Sequence, residues 1–148
     1  MNQVISIGKQ DFASLRESNA FYVDKTEFIR TWWEAQDDIT LITRPRRFGK
    51  TLNMSMLNCF YSLQYANRGD LFEELNIWKY EKYQKIQGTW PVIFLSFADV
   101  KQANAGDAIQ KIKKIIATVL PFLAFSNKAS AIVASPKARP FAIASSIS

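Results

Sequence analysis

The spacing of apolar residues changes several times along the chain, and each change predicts an element. Val4-Ile5-Ser6-Ile7-Gly8 is a short β-prone start. Asp11 to Arg16 reads as one or two helical turns with Asp11 as the cap, and Phe21-Tyr22-Val23 as extended chain. Asp24 with Glu27 three residues later has the spacing of a capping box, which predicts a helix over roughly 25–35. On that helix Phe28, Ile29, Trp32 and Trp33 form one broad face. Ile39 to Thr43 is short and rich in β-branched residues, so a strand is expected. From about Gly49 to Ser62 the residues are apolar on most sides, as in a helix covered on several faces. Residues 64–77 read as irregular and 78–87 as a polar, aromatic surface helix broken by Gly88. Pro91-Val92-Ile93-Phe94-Leu95-Ser96-Phe97 is a continuous apolar run that suits a central parallel strand covered on both faces. From Ala105 to about Val119, Ile109, Ile112, Ile115 and Ile116 repeat at helical spacing, with Lys111, Lys113 and Lys114 mostly opposite.

Strand, helix, strand, helix in this order predicts an α/β fold, a partial parallel sheet of P-loop type flanked by helices. The expected organisation is a domain over 1–120 and a poorly ordered tail over 121–148. That tail holds seven alanines, six serines, three basic residues and no acid, and has no sustained period.

Chemistry concentrates in the turn between the second strand and the helix after it: Arg44-Pro45-Arg46-Arg47-Phe48-Gly49-Lys50-Thr51. Strand, basic turn and helix, ending in Gly-Lys-Thr, have the layout of a Walker A phosphate loop. A triphosphate needs backbone N–H groups converging on its oxygens and the positive end of a helix behind them. Gly49 permits close backbone approach, Lys50 places a charge on the β and γ phosphates, and the Thr51 hydroxyl can bind Mg²⁺. Arg46 and Arg47 add two permanent charges for phosphate or for an interface. The full pattern begins with Gly, whereas this chain has Arg44 there; Pro45 biases Arg44 towards extended geometry, a different route through the turn.

Charge does not widen this picture. The net charge is +6, but residues 1–107 hold 13 basic and 13 acidic side chains, so the whole excess lies in 108–148. The chain has no histidine, which excludes histidine bases, Ser-His-Asp triads and histidine-ligated metals. A single cysteine, Cys59, sits in an apolar run and reads as a small buried hydrophobe. Met1-Asn2-Gln3 opens no secretory leader, and no apolar run nears the roughly 20 residues that span a bilayer; a cytoplasmic location without membrane partners is expected. Four further candidates each have a plainer reading. Asp99 is a Walker B candidate but reads better as a loop cap, because Ser96 and Ala98 interrupt the apolar run before it. Asp107 reads as a cap, and so does Asp24, with a place facing nucleotide as its alternative. Trp32-Trp33 reads as core rather than an adenine platform. Lys111, Lys113 and Lys114 read as a solvated face rather than a nucleic-acid surface.

Several blocks occur together: Ile7-Gly8-Lys9-Gln10-Asp11-Phe12-Ala13-Ser14-Leu15-Arg16, Phe21-Tyr22-Val23-Asp24-Lys25-Thr26, Thr43 to Leu52, and Pro91 to Phe97. In this order they closely resemble the predicted AAA-ATPase-like family of bacterial P-loop proteins, over about residues 4–118. In that family Arg at the position of Arg44 is part of the pattern. The resemblance implies ATP and Mg²⁺ as ligands, held by residues 44–51, and ATPase chemistry; longer members commonly carry a restriction-like nuclease domain. It also implies a later strand running into Walker B acids, followed by sensor residues, and no apolar run into Asp-Glu follows residue 100 here. The expectation is a truncated member that binds ATP with weak or no hydrolysis, its last ~30 residues out of frame. Genomic DNA tests the frame: the absence of a family-like continuation in another frame would sink that idea. Two other functions stay open. One is a non-catalytic nucleic-acid or protein interaction module built on Arg44, Arg46, Arg47 and the lysine-bearing helix. The other is a non-functional fragment whose uncovered sheet edge drives self-association.

Overall fold

The computed structural model describes residues 5, 8–36, 40–42, 48–96, 100, 104–129 and 141–145. The chain divides into two compact units, Met1–Trp90 and Pro91–Ser148.

The first unit is built from short helices and turns around aromatic side chains. Helix α1 (Phe12–Glu17) starts where the Asp11 carboxylate accepts from the Ser14 N–H at 2.7 Å, the cap expected from sequence. Its Phe12, Ala13 and Leu15 are buried. Helix α2 (Glu27–Ala35) ends at Gln36, in left-handed backbone. Helix α3 (Lys50–Tyr61) buries seven of its residues, among them Met56, Cys59 and Phe60. Three single 3-10 turns follow, at Leu63–Tyr65, Gly69–Phe72 and Asn76–Lys79, then the short helix α4 (Glu81–Gln84). No long periodic segment supplies the core. Phe72 holds it together, stacked on Phe12 at 5.2 Å and meeting Phe60 edge-on at 5.1 Å. Such ring pairs contribute about 0.5–1.5 kcal/mol each beyond their buried area.

The last turn of α3 leaves carbonyls that no further helical turn can satisfy. Residues 87–90 return to fill that role. Gln87 Nε2 donates to the Cys59 carbonyl at 3.4 Å, Gly88 N to that of Phe60 at 2.8 Å, and Trp90 N to that of Tyr61 at 2.8 Å. Leu63 N donates back to the Trp90 carbonyl at 2.9 Å, closing a parallel bridge between Ser62 and Trp90. Gly88 is required for this path. Its φ is +65°, and a Cβ there would lie 2.3 Å from the Ala66 Cα.

Three expectations change in this unit. The surface helix expected over 78–87 is reduced to α4, after a 3-10 turn that takes in Trp78 and Lys79, and its Tyr83 is buried. The capping box of Asp24 and Glu27 does not form: α2 starts at Glu27, with Thr26 in the N-cap position and no side chain capping it. The Asp24 carboxylate is occupied by other donors, and Glu27 pairs instead with Arg30 at 2.8 Å. The strand expected over Ile39–Thr43 is not seen in its described part: Thr40, Leu41 and Ile42 pair with no strand among the described residues, and Leu41 is 73% exposed. A strand exists through its partner, and β-branched residues alone do not supply one.

In the second unit strand β1 (Val92–Ser96) matches the expected apolar run. It pairs in parallel with strand β2 (Phe141–Ser145), in the register Val92 to Phe141 and Ser96 to Ser145. Parallel neighbours need a crossover of a dozen or more residues, and helix α5 (Ala105–Ala129) provides one of 25 residues. Among the described residues β1 has this one neighbour, so a strand central to a larger sheet is not observed. Regular structure also reaches into the Ala/Ser-rich segment expected to be poorly ordered. α5 runs ten residues past Val119 and through Pro121, and β2 follows. An interior proline costs a helix about 3 kcal/mol, a penalty that neighbouring helix formers can outweigh rather than a bar. The fold is mixed and rich in helix, as an α/β reading allows, with one parallel strand pair.

Candidate phosphate-binding site

Residues 43–47, with Arg44, Pro45, Arg46 and Arg47, lie outside the described residues, as does Asp99. The described half of the candidate loop is Phe48, Gly49, Lys50 and Thr51. Phe48 is 58% exposed. Gly49 has φ +72° and ψ 21°, stands as the N-cap of α3, and its carbonyl accepts the first helical bond, from Asn53 N at 2.9 Å. That left-handed backbone suits glycine, the type the Gly-Lys-Thr pattern places there. Lys50 and Thr51 are half-buried in the first turn, which carries no acid. The N–H groups and positive dipole end of a twelve-residue helix therefore meet no carboxylate of their own turn.

A second segment reaches this helix start. In the extended run before α2, neighbouring side chains point opposite ways. Asp24 and Thr26 turn inward. Asp24 accepts from the Thr26 N–H at 2.8 Å, from the Thr26 hydroxyl at 2.6 Å and from the Asn76 N–H at 2.7 Å. Fully buried Thr26 accepts in turn from Ile77 N at 3.1 Å. Lys25, between them, is exposed, and its Nζ lies 3.7 Å from where a Cβ on Gly49 would stand. The Lys25 N–H donates to the Tyr22 hydroxyl at 3.4 Å, and that hydroxyl donates to Met56 Sδ on α3 at 3.3 Å.

Electrostatics follow the same division. Burial opposes ionisation of Asp24, but the bonds from Thr26 and Asn76 and the Lys79 charge outweigh it and hold the carboxyl below its usual range. Burial pushes the Tyr22 phenol up to about 12 and the Cys59 thiol up to about 11, so both stay neutral. Cys59 is a buried hydrophobe, as expected.

Residues 6–146 match the family described as predicted AAA-ATPase. This chain belongs to that AAA-ATPase-like family. Searches of curated proteins and of solved structures found no match. The family match runs through the Ala/Ser-rich segment to residue 146. Nucleotide chemistry is what the family suggests, and a helix start rich in donors and cations fits a polyanion.

The remaining sequence candidates of the AAA-ATPase-like chain settle into structural places. Trp33 stacks on Tyr61 at 5.5 Å and meets Trp90 edge-on at 5.5 Å, while Trp32 packs on Tyr61 at 5.4 Å and donates from Nε1 to Thr40. They are core-facing aromatics. Asn104 rather than Asp107 caps α5: its side chain accepts from Asp107 N at 2.8 Å, and Asp107, in the first turn, accepts from the Asn104 amide at 2.7 Å. Lys113 and Lys114 are exposed and Lys111 half-buried. Asp24 faces Thr26 and Asn76 rather than the start of α3. Sequence reading missed Lys25; strict alternation across 24–26, with two capping-type side chains on either side, was the signal that could have found it. Among the described residues no group of three His, Cys, Asp or Glu side chains could hold a metal, and no helix is long and apolar enough to cross a membrane.

Proposed function

We propose that this chain binds a nucleoside triphosphate, ATP, through a Walker A-type loop formed by Arg44, Pro45, Arg46, Arg47, Phe48, Gly49, Lys50 and Thr51. The carrying observation is that α3 begins at Lys50, directly after a left-handed Gly49, with no acid in its first turn. Family membership supports the same reading. Lys50 supplies a charge for the β and γ phosphates, and the backbone N–H groups at the helix start bind their oxygens. Thr51 would offer its hydroxyl oxygen to Mg²⁺, which would supply counter-charge to the phosphates.

Turnover is weak or absent in this reading. Hydrolysis needs an acid supporting the metal and a group orienting the attacking water. After residue 100 the sequence has no apolar run leading into paired acids. Titrating a fluorescent ATP analogue against wild type and Lys50→Ala tests the binding step. A loss of at least about tenfold is expected for the variant, the scale of a charge-assisted phosphate contact. Equal binding by both removes the loop from the account.

A further inference from the structure

We propose that Lys25 is a second cation of the phosphate site, contacting the same polyphosphate as Lys50; this rests on the nucleotide reading above. The two lysines come from different parts of the chain. Lys50 opens α3, while Lys25 approaches the helix start from the segment before α2, its Nζ 3.7 Å from the Cβ position of Gly49. Three ties set its place. Asp24 and Thr26 on either side are locked to Asn76 and Ile77, and the Lys25 N–H is held by Tyr22, itself bonded to Met56. These ties fix the backbone from which the four-carbon Lys25 stem reaches towards the helix start.

The charge arrangement is the second support. Among the described residues the Lys25 ammonium has no carboxylate or other hydrogen-bond partner. It stands beside the positive end of α3, whose first turn carries no acid. Cations at a helix N-terminus are unfavourable and anions favourable. A polyphosphate seated on the N–H groups of this helix start would also meet the Lys25 ammonium. A Cβ at position 49 would stand in ordinary contact with the Lys25 ammonium, so what position 49 asks of glycine is its left-handed backbone.

Binding of the fluorescent ATP analogue, and its displacement by inorganic tripolyphosphate, tests this with wild type, Lys25→Met, Lys25→Arg and Lys50→Ala. Thermal melts establish that each is folded, and Lys25→Gln replaces Lys25→Met if the latter is not. The expected result is about tenfold weaker binding of both ligands by Lys25→Met and near wild-type binding by Lys25→Arg. If Lys25→Met binds both like wild type while Lys50→Ala is weakened, the role of Lys25 is overturned and the nucleotide reading stands. If Lys25→Met weakens the ATP analogue but not tripolyphosphate, its contact is not with phosphate, and the proposal fails. If wild type binds neither ligand, both readings fall together.

Discussion

Helices α3 and α5 are the two longest in the molecule's described residues, and they are used in opposite ways. α3 has twelve residues, seven of them buried. α5 has 25, yet within the part whose side chains are described, Ile109 is 52% and Ile116 45% exposed. Regular apolar spacing is plainer in α5. What separates them is the chain around each. α3 is wrapped by Phe12 of α1, by Phe72 and by the return of residues 87–90 over its last carbonyls. Helical stability in proteins comes mostly from such packing rather than from the helix's own propensity.

Breaking the wrap is the harshest test of that difference. Gly88→Ala places a methyl group 2.3 Å from a backbone atom at a positive φ, so the segment that closes α3 must move. A loss of about 2–4 kcal/mol in the first unit is expected from denaturant unfolding followed by Trp fluorescence. A change under about 0.5 kcal/mol would mean that the return segment does not secure α3.

A smaller effect is expected at Asp24, which ties the start of α2 to the turn at Asn76–Lys79. Asp24→Asn exchanges a three-fold acceptor for a group that turns an N–H₂ towards at least one of those donors. About 1–3 kcal/mol should be lost at neutral pH. The folded-state pKa of Asp24 is depressed, so its contribution is fully present above the unfolded value near 4 and disappears as pH falls through the lower folded value. The gap between wild type and Asp24→Asn should therefore shrink below about pH 4. A gap constant from pH 7 to pH 3 would show that ionised Asp24 is not what stabilises this junction.

How much of this was legible in the sequence varies with the kind of signal. Elements whose pattern is local came through: the Asp11 cap, α3 starting next to Gly49, the β1 run and the helix at Ala105. Contacts made across the chain did not. Asp24 has the composition and spacing of a cap, yet Asn76, 52 residues later, captures its carboxylate. The strand expected at Ile39–Thr43 depends on a partner that its own composition cannot reveal. The helix from Ala105 was read to about Val119, yet α5 continues through Pro121 to Ala129, because a local penalty does not end a helix whose flanking residues favour it. At the candidate site the Gly-Lys-Thr end was readable because its geometry is local. Lys25 was not, since only the folded chain brings residue 25 to residue 49.

The mildest test bears on α5. If its described face is solvent-facing, as the exposure of Ile109 and Ile116 indicates, replacing both by Gln removes little buried apolar area. Each change should alter unfolding free energy by no more than about 0.5 kcal/mol, and the pair should add. Glutamine propagates a helix about as well as isoleucine or better, so propensity does not mask the result. A loss above about 2 kcal/mol for the double variant would show these isoleucines packed against something in solution. α5 would then be a covered helix like α3, and the contrast between the two would disappear.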